Sequence, residues 1–168
     1  PEIADDQTFN ARPQRVLKIV EEARNAGHAV RPVLVGPVTL LALSKQADGS
    51  STQPLEHLDA VVESYISVLE QLHAAGVEWV QLNEPALVAD LAAADDAALA
   101  QALLSAYRRI LAAEKRPQVY LTTPYGSVRK GLDAINELQP EAVQVDLSVG
   151  TLALDPSYLE RVAGLKSH

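Results

Sequence analysis

Helical and extended patterns alternate along this chain, and the alternation restricts its fold more than any other feature. Stretches 54–75 and 95–113 place apolar side chains three or four residues apart, as on one face of a helix. Short apolar runs at 31–36, 77–82 and 118–122 separate such stretches and are typical of strands. Helices alternating with strands in this way indicate a parallel sheet with right-handed crossovers.

The rest of the chain extends the same pattern. Residues 7–26 predict an amphipathic helix that ends at Gly27, and residues 31–36 predict a strand buried on both faces. A helix at 127–138 and a strand at 142–147 repeat the unit. Asp155 and Pro156 are expected to cap and open a last short helix.

Four strands and five helices are therefore expected, and we interpret residues 1–168 as one structural unit. A polar loop at 46–53 precedes Pro54, with Thr52 or Gln53 as the expected helix cap. Helices that end in Ala-Gly before an apolar strand occur twice, at Gly27 and Gly76. We interpret this as a short internal similarity and not as a proven duplication.

Two α/β architectures fit this pattern. One is an open doubly wound sheet, and the other is a partial (β/α)₈ TIM-type barrel, whose complete form has about 250 residues. Four strands cannot close an eight-stranded barrel. No Gly-x-Gly-x-x-Gly segment follows the first strand and no phosphate loop is present. These absences argue against nucleotide binding and leave the open sheet possible.

Composition excludes several classes of function. The net charge is −8, and no basic stripe of the kind that binds nucleic acid is present. No apolar run approaches the ~18 residues that a membrane span needs, and no signal segment opens the chain, so a cytoplasmic location is expected. The chain lacks cysteine, and its four histidines are not spaced as ligand pairs, so we expect no metal site within it.

Polar side chains follow the predicted strands, at the edge where parallel α/β folds bind ligands. The predicted pocket rim consists of Pro37, Asn83, Glu84, Thr123 and Asp146. Glu84 is the strongest candidate, since a carboxylate there could accept a proton or bind an amine. The competing interpretation, which we favour for Glu84 and Asp146, is a structural hydrogen bond or ion pair. For Thr123 the alternative is a hydrogen bond to nearby backbone.

Four segments carry a resemblance to a known family. Residues 31–45 and 76–88, followed by 121–126 and 143–147, resemble cobalamin-independent methionine synthase in order and spacing. The resemblance implies two tandem barrels that transfer a methyl group from methyltetrahydrofolate polyglutamate to homocysteine. It also implies that zinc, the homocysteine site and the catalytic histidine belong to the C-terminal barrel. The cysteine-free chain resembles the N-terminal barrel, a zinc-free copy that helps to bind the folate tail.

Two departures from the family pattern limit what can be carried over. Asn83 stands where the family usually has aspartate, which argues against amine binding at this position. The family's folate-contacting lysine belongs to a segment upstream of Pro1. We therefore assign no catalytic and no metal-binding residue, and only the pocket rim remains as a candidate site.

Three hypotheses about function follow. The first is a fragment of the methyltransferase that is inactive alone. The second is a stand-alone partial barrel that binds a small ligand or partner; a gene with its own start and stop around this chain would favour it. The third, a related decarboxylase-like barrel enzyme, needs an arginine-rich carboxylate site that the sequence lacks. Because a partial barrel exposes sheet edges, we also expect self-association.

Overall fold

The computed structural model describes residues 1–91, 95–129 and 131–165. Two 3₁₀ turns, Pro54–His57 and Pro85–Leu87, lie before the second long helix and after the fourth strand. The strands and helices, in chain order, are β1 (Glu2–Ile3), α1 (Gln14–Asn25), β2 (Val33–Val35), α2 (Pro37–Ala42), β3 (Lys45–Gln46), α3 (Leu58–Ala74), β4 (Trp79–Asn83), α4 (Asp96–Ala112), β5 (Gln118–Thr123), α5 (Gly131–Leu138), β6 (Ala142–Val145), α6 (Val149–Leu154) and α7 (Tyr158–Ala163).

The main sheet has four parallel strands in the order β2-β4-β5-β6. A second, two-stranded parallel sheet joins β1 to β3. The predicted α/β fold, with about four parallel strands and flanking helices, is confirmed. Within the described residues β2 and β6 each pair with one neighbour only, so the main sheet has two edges and has the form of a partial barrel.

Capping signals in the sequence fix the beginning of the 3₁₀ turn Pro54–His57, which leads directly into α3. The Gln53 side chain accepts from the backbone of Glu56, and the Gln53 N–H donates to the Glu56 carboxylate at 2.8 Å, which forms a capping box. Pro54 occupies the first helical position, where its missing N–H is harmless. The prediction of Gln53 as a cap is confirmed. The helix buries an apolar stripe of Val61, Val62, Leu69 and Leu72.

The two faces of the sheet have different surroundings. Val80, Leu82, Val119 and Leu121 alternate along β4 and β5 and are fully buried. This face packs against the helices, since Tyr107 of α4 reaches the end of β4 on the same side. Side chains at the intervening positions point to the opposite face, because successive residues of a strand alternate in direction. Residues 79, 81 and 83 there are only partly buried.

The prediction that the first apolar run is buried on both faces was wrong. The strand is limited to Val33–Val35, and the side chains of Val33 and Val35 are 55% and 51% exposed. The reason is the face on which these side chains lie: Val33 and Val35 pair with Gln81 and Asn83, so they belong to the open side of the sheet, opposite the helices. Apolar content alone does not show which faces of a strand are covered.

The last predicted helix was also misplaced. Asp155 ends α6 and does not cap α7, which begins after Ser157. The Asp155 carboxylate instead accepts hydrogen bonds from the hydroxyls of Ser127 and Ser157. The predicted helix at 7–26 is regular only from Gln14, directly after Pro13, where the sequence predicts the first turn of its regular part. The sequence patterns did not predict α2, α6 or the pair of β1 and β3.

No helix among the described residues has both the length and the apolarity needed to cross a bilayer.

Candidate functional site

Glu84 lies directly after β4 with its carboxylate fully buried. The carboxylate accepts hydrogen bonds from the Val38 N–H at 3.2 Å and the Thr39 N–H at 2.6 Å. The Tyr107 hydroxyl donates to it at 2.9 Å. Glu84 therefore joins the first turn of α2 to α4 and to the end of β4, which is the structural arrangement that we favoured from the sequence.

The backbone around this carboxylate is closely packed. A Cβ atom at Gly36 would lie 2.1 Å from Glu84 Oε1, so no side chain larger than hydrogen fits at Gly36 unless Glu84 moves. Thr39 extends the network, because its hydroxyl accepts from the Ala86 N–H at 3.1 Å. The ends of β2 and β4 are thus held together by polar contacts in a buried layer.

Burial also changes the protonation of this cluster. Loss of solvent raises the pKa of Glu84 to about 7, although hydrogen bonds from Thr39, Tyr107 and Val38 act in the opposite direction. Burial and the neighbouring Glu84 carboxylate raise the pKa of Tyr107 well above its ordinary value. The pKa of Tyr65 is raised for the same two reasons. A carboxyl group poised near neutrality can hold or release a proton, but this one has no contact with solvent.

Asn83 points to the opposite face of the sheet from Glu84. Its Oδ1 atom accepts from Gln81 Nε2 at 2.9 Å and from the Thr122 hydroxyl at 2.6 Å. The side chain is only partly buried, so this amide cluster is the part of the predicted rim that faces the open side of the sheet. An uncharged amide can donate and accept hydrogen bonds there, but it supplies no charge for an amine.

The remaining rim residues have local partners. Thr123 is fully buried, and its hydroxyl donates to the Gln144 carbonyl at 3.1 Å. Asp146 accepts from the Ser148 N–H at 2.8 Å and from the Thr151 hydroxyl at 3.2 Å. The Ser148 backbone contact lowers the pKa of Asp146, which therefore stabilises the first turn of α6 as an anion.

The structure brings together only part of the predicted rim. Pro37 is buried at the first position of α2, next to the N–H groups that bind Glu84. Asn83 lies on the other face, and Thr123 and Asp146 are engaged with β6 and α6. The sequence analysis missed Tyr107 as a partner of Glu84. A tyrosine within the apolar stripe of a long helix was the available signal, because a buried hydroxyl needs an acceptor.

Among the described residues no group of three His, Cys, Asp or Glu side chains is arranged to hold a metal ion.

An open parallel sheet, covered by helices and tied together by a buried carboxylate at a strand end, defines an α/β domain of the partial-barrel type. Sequence comparison identifies its family. The chain belongs to the family described as the N-terminal domain of the cobalamin-independent synthase, whose model matches residues 1–162.

Relatives with similar sequences share one activity in their names. The chain is 41% identical over 169 residues to 5-methyltetrahydropteroyltriglutamate–homocysteine methyltransferase of Rhodococcus jostii, covering 98% of this chain and 22% of the relative. It is 40% identical over 150 residues to the protein of the same name from Mycobacterium tuberculosis strain H37Rv, covering 89% of this chain and 19% of the relative. The chain thus spans about a fifth of the length of these relatives.

One solved structure supports the fold. A Listeria monocytogenes protein, proposed to be a vitamin-B12 independent methionine synthase, superimposes with a TM-score of 0.62 over 84% of this chain and 46% of that chain. At 16% identity this similarity concerns the fold alone.

Proposed function

We propose that this chain serves as part of the N-terminal domain of a methyltransferase that moves a methyl group from 5-methyltetrahydropteroyltriglutamate to homocysteine, forming methionine. The observation that carries the proposal is the family match over residues 1–162, together with relatives about 40% identical that bear this activity in their names. The role of the chain is that of a scaffold and a wall on the folate side. It carries out no methyl transfer by itself.

The contacts of the predicted rim support a non-catalytic role. Glu84 and Asp146 use their carboxylate oxygens to hold α2 and α6, and Thr123 is directed into a buried layer. Asn83 is the rim residue that remains on the open face, and we propose that its amide cluster contributes to the folate-side wall. A hydrogen-bonding amide suits the polar groups of such a substrate better than it suits a charged amine.

Zinc belongs to this proposal as a cofactor of the complete enzyme, held by ligands outside this chain. Zinc would bind the homocysteine sulfur as a thiolate and so make it a better nucleophile. The residues described here do not fit that ion, since the chain has no cysteine and the described part contains no suitable cluster. No step of the reaction is assigned to them. The cytoplasmic location stays a prediction.

A groove beside β2 favours a second candidate function, in which the chain binds a partner without catalysis. It has a volume of about 820 Å³ and lies between residues 7–13, α1, β2 and α3. Its floor includes the exposed side chains of Ile19, Val33 and Val35. Exposed apolar surface next to an unpaired sheet edge is typical of sites for protein association.

A methyl-transfer assay tests the proposal that the chain carries out no methyl transfer by itself. The purified chain is incubated with zinc, homocysteine and 5-methyltetrahydropteroyltriglutamate, and methionine is measured. We expect no methionine above the protein-free control. Zinc-dependent turnover by the chain would contradict the scaffold role. The relative from Rhodococcus jostii, under the same conditions, serves as the positive control.

A further inference from the structure

A second pocket lies at the opposite end of the sheet from Glu84. Its volume is about 650 Å³, and it lies where β4 and β6 begin. Its polar and aromatic lining consists of Arg24, His28, Arg31, Glu78, Trp79 and Tyr120. None of these residues belongs to the rim predicted from the sequence, and the proposed function does not use them.

Aromatic rings form one side of this pocket. The Arg31 guanidinium lies over the Tyr120 ring, 4.7 Å from its centroid. A guanidinium held against a ring in this way keeps its planar edge free to donate to an anion. Trp79 is partly buried in the same pocket and is the one tryptophan of the chain. Planar faces and a fixed cation therefore lie side by side.

The turns after α1 and α3 complete the pocket. Both turns contain a glycine with positive φ, 80° at Gly27 and 74° at Gly76. Arg24 donates to the Ala75 carbonyl at 2.6 Å, and its guanidinium would lie 3.3 Å from a Cβ atom at Gly76. The two similar Ala-Gly segments, at Gly27 and Gly76, thus lie next to each other. The second of them holds Arg24 at the pocket.

The charge of the pocket is opposite to that of the chain. Two arginines and one carboxylate line it, although the whole chain has a net charge of −8. Within the described part of the chain, neither Arg24 nor Arg31 forms an ion pair with a carboxylate. Unpaired guanidinium groups beside aromatic rings complement a ligand that is both planar and anionic.

We propose that this pocket is a binding site for a small planar aromatic carboxylate. The carboxylate group of the ligand accepts hydrogen bonds from Arg31 and Arg24, and its ring packs against Trp79, since the Arg31 guanidinium already covers one face of the Tyr120 ring. The site is independent of the proposed methyl-transfer role, because it uses different residues at the other end of the strands.

Trp79 provides a direct measurement, since it is the one tryptophan of the chain and lines this pocket. Benzoate is titrated into the purified chain, with cyclohexanecarboxylate and benzamide as probes that lack the ring or the charge. We expect a saturable change with benzoate, with a dissociation constant of about 1 mM or below for so small a ligand. Both other probes should bind at least about tenfold more weakly, because each loses one of the two contacts.

Two substitutions test whether Arg31 carries the charge contact. Arg31→Met keeps an unbranched apolar stem but removes the guanidinium, and it should weaken benzoate binding by about tenfold or more. Arg15→Met, in the groove beside β2, is the matched control and should bind benzoate as the wild type does. The proposal is overturned if benzoate gives no saturable response, if benzamide binds as tightly as benzoate, or if the two variants weaken binding equally.

Discussion

At the residue scale, Gly36 is the most restricted of the eight glycines, since a Cβ atom there would lie 2.1 Å from Glu84 Oε1. We expect Gly36→Ala to lower the free energy of unfolding by about 3 kcal/mol or more, because the new methyl group displaces a buried carboxylate from its three donors. Urea denaturation followed by circular dichroism measures the change.

Gly150→Ala is the matched control for that substitution. A Cβ atom at Gly150 would meet nothing within 4 Å, and the residue lies in α6. Alanine there should leave stability unchanged or raise it by about 0.5–1 kcal/mol, since alanine favours helix more than glycine does. Equal effects of the two substitutions would show that the close approach at Gly36 has no energetic importance.

The protonation of Glu84 should make stability depend on pH. Its pKa is raised from 4.5 to about 7 in the folded chain, so between these values the folded state holds a proton that the unfolded state has released. The free energy of unfolding should therefore fall as pH rises through this window, by up to about 3 kcal/mol. Denaturation at a series of pH values measures the slope.

Glu84→Gln isolates this contribution from other titrating groups. Glutamine cannot ionise, and its NH₂ group would face backbone donors, so the variant should be less stable than the wild type. The difference between the two proteins should narrow by about 3 kcal/mol as pH rises from 4.5 to 7. A constant difference across this range would mean that Glu84 is not protonated near neutral pH.

At the scale of elements, a side-chain cap marks the beginning of α4. Asp95 accepts a hydrogen bond from the Ala98 N–H at 2.7 Å and caps α4. Asp95→Ala should lower the free energy of unfolding by about 1 kcal/mol, measured by urea denaturation. The exposed Asp6 is the control position, and Asp6→Ala should have an effect below about 0.5 kcal/mol.

Elements with strong local signals were the ones that the sequence could predict. The helices α3 and α4 have long apolar stripes, with a capping signal at or just before the start of each, and β4 and β5 each contain three apolar residues. The helices α2 and α6, six residues each, have no comparable periodicity. The first turn of α2 is held by a carboxylate 45 residues away in sequence. A contact of that kind leaves no local pattern.

Contacts between residues distant in sequence also limited what could be predicted about the candidate site. The position of Glu84 after a strand was evident from the sequence, but alternation along β4 decides that it faces the helices while Asn83 faces the open side. That choice depends on the register of the neighbouring strands and on which face the helices cover. The cation–π contact between Arg31 and Tyr120 joins residues that are far apart in the chain. No local sequence pattern predicts such a contact.

At the scale of the whole molecule, the open sheet edges should cause self-association. The main sheet ends at β2 and β6, and Val33 and Val35 are about half exposed on the β2 edge. We expect sedimentation velocity to show oligomers whose fraction rises with protein concentration. Val35→Lys places a charge on the edge and should shift the equilibrium towards monomer. A monomer at every concentration would contradict this expectation.

The central claim is that this chain performs the work of an N-terminal domain in a methionine-forming methyltransferase. The most direct measurement replaces the matching 169-residue segment of the Rhodococcus jostii relative with this chain and assays the chimera for methyl transfer to homocysteine. We expect activity within about tenfold of the parent, a difference of about 1.4 kcal/mol in barrier height. The same chimera carrying Gly36→Ala should have a lower free energy of unfolding than the chimera without it. A folded chimera without methyl transfer would contradict the claim.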